Sequence, residues 1–130
     1  MRVIEDISVL QLPEKQLDFL NTFLSNIKSL KYYSRIDGVI LFGSCATGKA
    51  TPKSDVDILI IDEYADLDDD LLFELYDCAI DSTSLDENYV ASDVLAMPQC
   101  RFDKYYQEPG MVQRRIYRDG VIIHESIYKR

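Results

Sequence analysis

The chain has 130 residues, 47% hydrophobic and 28% charged, which fits one globular domain spanning 1–130 and excludes a disordered chain. Its 23 acids outweigh 14 basic residues, for a formal net charge of -9, and this argues against direct nucleic-acid binding, which needs clustered Lys and Arg. Arg114, Arg115 and Arg118 form the one dense cationic cluster before Lys129 and Arg130, and so short a run reads as a solvated helix face.

Cys45, Cys78 and Cys100 are odd in number and show no CxxC spacing, so they are expected to be reduced thiols in the cytoplasm. The opening MRVIEDISVL carries Glu5 and Asp6 where a signal peptide needs a long apolar core. No run approaches a membrane span. The expected setting is cytoplasmic, with no membrane partner.

Pro13 opens an amphipathic helix in which Leu17, Leu20, Phe23, Leu24, Ile27 and Leu30 recur at three and four. Gly38 precedes a short apolar run, Val39 to Phe42, that is closed by Gly43 and Ser44 and reads as an interior strand. After a loop with Gly48 and Pro52, Val56 to Ile61 is apolar on both faces, the pattern of a central strand covered on both sides. Leu67 to Ile80 begins with acids and repeats apolar residues at helical spacing, so Asp68 to Asp70 meet the positive end of a helix dipole. A third strand is expected from Tyr89 to Met97, with Asp93 as its one acid, and Pro98 stops it. CRFDKYYQEPG reads as an irregular or partly helical connection, MVQRRIYR as a short helix, and VIIHE as a final strand or extended tail. This order predicts an α+β or α/β domain with a small mixed β-sheet flanked by helices.

The chemistry concentrates in GSCATGKATPKSDVD, Gly43 to Asp57. In a strand, residues i and i+2 share a face, so Asp55 and Asp57 project side by side with Cα atoms roughly 6.5–7 Å apart. Their repulsion is relieved by protonation, by an arginine or by a divalent cation. Magnesium takes one or two carboxylates and completes its octahedron with water and phosphate oxygens, which suits such a pair. Gly43 leaves room for close approach, Ser44 adds a hydroxyl, and a helical turn over Cys45 to Thr47 would aim N–H groups at an anion.

Gly43-Ser44, followed by Ser54-Asp55-Val56-Asp57-Ile58, resembles the GS…SDxD signature of the DNA polymerase β-like nucleotidyltransferase superfamily, and most closely the minimal nucleotidyltransferases of prokaryotes. With Gly48 and Ser54 in the gap, the stretch is similar to that subgroup's GSxxxGxxxxxSDxDL pattern, with Ile58 in place of the leucine. The resemblance runs from Leu17 to Glu125. It implies the nucleotidyltransferase fold and a third carboxylate on a later strand, Asp93, that takes the acceptor's proton or helps hold the catalytic metal. Asp81, Asp86 and Glu87 are the substitutes for it if the third strand lies elsewhere.

The implied activity is magnesium-dependent transfer of a nucleoside monophosphate, AMP from ATP, to a hydroxyl with release of pyrophosphate. Asp55, Asp57 and Asp93 would hold two Mg2+ ions, and Gly43, Ser44, Lys53 and Ser54 would bind the nucleotide. Lys49 shares the loop, where lysines are more often simply solvated. Stand-alone minimal members resemble the antitoxin half of two-gene systems, which implies a HEPN-domain partner modified on a tyrosine; an oligomer is compatible with the sequence. Two other readings use the same residues: a catalytically idle module that neutralises its partner by contact, and a transferase acting on a small-molecule hydroxyl.

Overall fold

The computed structural model describes residues 1–125; Lys129 and Arg130 lie outside the described residues. Five strands, β1 (Arg2–Val3), β2 (Ile36–Phe42), β3 (Val56–Asp62), β4 (Ser92–Met97) and β5 (Val121–Glu125), form a mixed sheet in the order β1-β5-β2-β3-β4. β2 runs antiparallel to β3 and β5, whereas β3 pairs in parallel with β4 and β1 with β5. The described helices are α1 (Glu14–Ile27), α2 (Ser44–Thr47), α3 (Asp69–Asp81), α4 (Gln99–Tyr105) and α5 (Val112–Asp119).

Alternation along β2 and β3 feeds two separate cores, as expected for central strands covered on both faces. Val39, Leu41, Val56, Ile58 and Ile60 pack with Phe19, Leu20, Phe23 and Ile27 of α1 and Leu71 and Leu75 of α3. On the opposite face Ile40, Phe42, Leu59 and Ile61 pack with Met97, Phe102 of α4 and Ile116 of α5. Among the described residues no helix is long and apolar enough to cross a membrane.

The elements start for identifiable reasons. Asp68 caps α3 by accepting a bond from the Asp70 N–H (3.1 Å), so this helix opens two residues after the predicted Leu67. Pro13 precedes α1 in an extended conformation rather than lying in its first turn, and Leu30 falls beyond its end. β2 begins at Ile36, ahead of the expected Val39, because Gly38 sits inside it at a register shift, where a missing side chain tolerates the bulge. β4 is shorter than predicted: Tyr89 to Ala91 lead into it, with Tyr89 N–H turned back to the Asp86 carbonyl. The stretch after Pro98 is helical, as α4, and VIIHE is a strand, β5.

Candidate active site

Three strand ends meet at one edge of the sheet. Phe42, the last residue of β2, stands across from Asp57 near the start of β3, and Asp57 in turn stands across from Asp93 near the start of β4. Residues directly opposite on neighbouring strands share a face, so the Asp57 and Asp93 carboxylates lie together on the α4–α5 side, the side of Leu59 and Ile61. Asp55 stands two residues ahead of Asp57 and close enough to act on it electrostatically. Asp57 is half-buried, while Asp55 and Asp93 are exposed.

Gly43 follows Phe42 and is shaped by Asp57. Its φ is 72°, in the region that favours glycine, and a Cβ built there would collide with the Asp57 Oδ2. A side chain at position 43 would therefore push the carboxylate out of its place. The Gly43 carbonyl accepts bonds from the N–H groups of Ala46 (3.0 Å) and Thr47 (3.2 Å), which closes the short helix α2 and leaves the first N–H groups of that turn open. Ser44 is half-buried at its start.

The electrostatics are those of an acid cluster awaiting counter-charge. Burial raises the Asp57 pKa, the carboxylates of Asp93 and Asp55 raise it further, and Arg115 on α5 opposes them. Among the described residues no salt bridge reaches Asp55, Asp57 or Asp93. Cys45 is buried beneath the site, its Sγ 3.5 Å from the Asp55 carbonyl, and burial with the two aspartates pushes its thiol up to about 11. A thiol so protonated is no nucleophile.

The remaining predicted residues take different places. The Ser54 hydroxyl accepts the Thr51 N–H (2.8 Å) and so shapes the turn before Asp55. Lys53 and Lys49 are exposed on the loop, Lys49 near Asp119. Asp81 ends α3, and Asp86 and Glu87 lie in the loop after it, so it is Asp93 that the sheet brings beside Asp57.

Two residues escaped the sequence reading. Gln16 is fully buried in α1 and its Nε2 donates to the carbonyls of Pro52 and Ser54, both at 3.0 Å, pinning the loop that carries Asp55. A polar residue on the buried stripe with Leu20 and Phe23 was the available signal. Arg115 is exposed, as expected of a solvated helix face, and the packing of α5 against the sheet also brings its charge to bear on Asp57.

Comparison with known proteins agrees with this geometry. Residues 25–127 match the family described as "Polymerase beta, Nucleotidyltransferase". The chain belongs to that nucleotidyltransferase family. It is also 45% identical over 56 residues to a protein of Methanocaldococcus jannaschii named "Putative protein adenylyltransferase". That match takes in 43% of this chain and 52% of the relative, so the similarity spans about half of the relative's length. The nucleotidyltransferase fold expected from the GS and SDVD motifs is thus present, with the mixed sheet between two helical layers.

Whether a dication suits this member of the nucleotidyltransferase family can be tested on its residues. Among the described residues no three His, Cys, Asp or Glu side chains form a ready-made cage for an ion. Magnesium does not need one, because it binds through one or two carboxylates and takes its other ligands from water and substrate phosphates. The oxygen-only donor set, the like charges of Asp55 and Asp93 around Asp57, and the Asp57 carboxylate position that the missing side chain of Gly43 leaves open all fit such an ion.

Proposed function

We propose that this chain transfers AMP from Mg–ATP to a hydroxyl on a protein acceptor, releasing pyrophosphate. The observation that carries the reading is the pairing of Asp57 with Asp93 across the β3–β4 ladder, beside a glycine whose missing side chain preserves the Asp57 carboxylate. Asp55 and Asp57, with Asp93, would hold Mg2+; two bound ions would supply charge stabilisation at the pyrophosphate and at the attacking oxygen.

The chain's own residues divide the rest of the work. Gly43 and Ser44 offer the open N–H groups and the hydroxyl of the α2 turn to the β and γ phosphates. Lys53 and Lys49 add mobile positive charge from the loop, and Ser54 with Gln16 holds that loop in shape. The acceptor oxygen attacks the α-phosphorus, the bond to the β-phosphate oxygen breaks, and Asp93 receives the acceptor's proton. Asp93 is exposed and therefore reachable by a bulky acceptor.

The acceptor class rests on the relative's name and on the motif resemblance. In this proposal it is a tyrosine of a HEPN-type partner, with adenylylation silencing that partner in the manner of an antitoxin. The test incubates the purified chain with magnesium, ATP labelled at the α-phosphate and a HEPN-domain protein, alongside the Asp55→Ala/Asp57→Ala variant. Label on the partner with the native chain and none with the variant is expected. Equal labelling by both would end the proposal, and a stable unlabelled complex with the native chain would assign the chain to contact neutralisation instead.

A further inference from the structure

All fourteen Lys and Arg residues lie outside positions 54–100, while that stretch holds fourteen of the 23 acids. The fold wraps this one-signed segment around a single edge of the sheet, since it contains β3, α3 and β4, and β4 is the last strand of the order. Among the described residues no salt bridge reaches Glu74, Asp77, Asp81, Asp86 or Glu87. Such a field attracts cationic partners and repels a second copy of the same face.

The same edge is apolar at its centre. A groove of about 550 Å³ runs between the C-terminal half of α3 and β4, lined by Tyr76, Ile80, Leu85, Tyr89 and Val94 among others. Leu85 is 90% exposed and Ile80 61%, large values for side chains that gain by leaving water. β4 pairs with β3 on one side, and among the described residues no strand pairs with its other side, so a row of N–H and C=O groups faces outward beside the groove.

From the open edge, the apolar groove and the acid-rich rim together, we propose that β4 docks an extended, basic segment of a partner protein as a sixth strand. Alternate side chains of that segment would enter the groove against Ile80 and Leu85, which favours apolar residues there. The intervening side chains would lie on the opposite face of the sheet, where a Lys or Arg beside β4 would meet Asp93, while the acids of α3 and the loop after it draw the basic segment in from the groove side. Ser92 lines the groove and Asp93 follows it on the other face, so a docked strand runs alongside the carboxylates. The docking inference stands without the transferase reading.

The probe is a fluorescent ten-residue peptide alternating Lys with Val, titrated against the full chain by anisotropy at low and high salt. Saturable binding that weakens with salt is expected, with slowed amide exchange in Ser92–Met97. Ile80→Lys and Leu85→Lys should each weaken it about tenfold while leaving the far-UV circular dichroism unchanged. A scrambled peptide of the same composition, one with Glu for Lys, and one N-methylated at alternate amides should not bind. No binding by the alternating peptide, equal binding by the scrambled or N-methylated form, or unchanged exchange in β4 would overturn the proposal. So would self-association of the chain that Leu85→Lys abolishes, which would make the occupant a second copy. The Asp55→Ala/Asp57→Ala variant should bind the peptide as the native chain does, so a failed transfer assay leaves this result readable.

Discussion

β3 carries an acid near its start, Asp57, and another at its end, Asp62, and the two are treated in opposite ways. Asp62 at the C-terminal end is fully buried, yet its carboxylate accepts bonds from the Arg35 guanidinium (3.1 Å) and the Tyr64 N–H (2.8 Å). Arg35 is itself held over the rings of Tyr32 and Tyr64, at 4.6 and 5.3 Å, and bonds Asp68 as well. At the N-terminal end Asp57 is half-buried beside two more carboxylates, and no salt bridge among the described residues satisfies it. A carboxylate that serves the fold is neutralised within the chain, because an unpaired buried charge is expensive. One left among like charges is open to a counter-charge from outside the chain, which the proposed function supplies as Mg–ATP.

Breaking the N-terminal end should abolish activity and spare the fold. Asp55→Ala/Asp57→Ala is expected to cut AMP transfer by at least about a thousandfold, read by label incorporation, with an unchanged circular-dichroism spectrum. Gly43→Ala should follow, since a methyl group there displaces the Asp57 carboxylate from a backbone with φ of 72°. About a hundredfold of transfer and about 1–3 kcal/mol of stability should be lost, measured by turnover and by urea unfolding.

Breaking the C-terminal end should do the reverse. Arg35→Ala strands Asp62 without its cation and should cost about 3 kcal/mol in urea unfolding, with transfer per folded molecule preserved. The contrast sharpens in Asp57→Asn, which should raise Tm by a few degrees in metal-free buffer while removing activity. The sign follows from the raised pKa of Asp57: the folded state holds that proton more tightly, so ionisation at neutral pH destabilises it. The gain should therefore shrink as the pH falls through the raised value toward 3.8. Smallest of all, Arg115→Gln removes a charge that opposes the rise, and should move the acid limb of the transfer pH profile to higher pH.

Much of the site was visible in the chain because it is local. Gly43, Ser44, Asp55 and Asp57 lie within fifteen consecutive residues; β3 opens at Val56, so Asp55 stands just ahead of the strand rather than within it, and it is near Asp57 because it is near in the chain. Asp93 is singled out by the resemblance to the family and as the one acid of its strand, and the parallel β3–β4 register sets it beside Asp57. Gln16 and Arg115 were hidden by distance: each acts on the site from a helix whose packing no periodicity reveals. The two-residue β1 was also missed, because so short a strand exists only by pairing with β5, well over a hundred residues away.

The amino-acid order by itself determined the two apolar strands, the glycine-serine turn between them and the paired acids, since each depends on neighbours a few residues apart. Tertiary structure decided which acids remain unneutralised. Asp55, Asp57 and Asp62 read alike along the chain, and only folding carries Arg35 to Asp62 and sets Asp93 beside Asp57, because charges are paired or opposed through space.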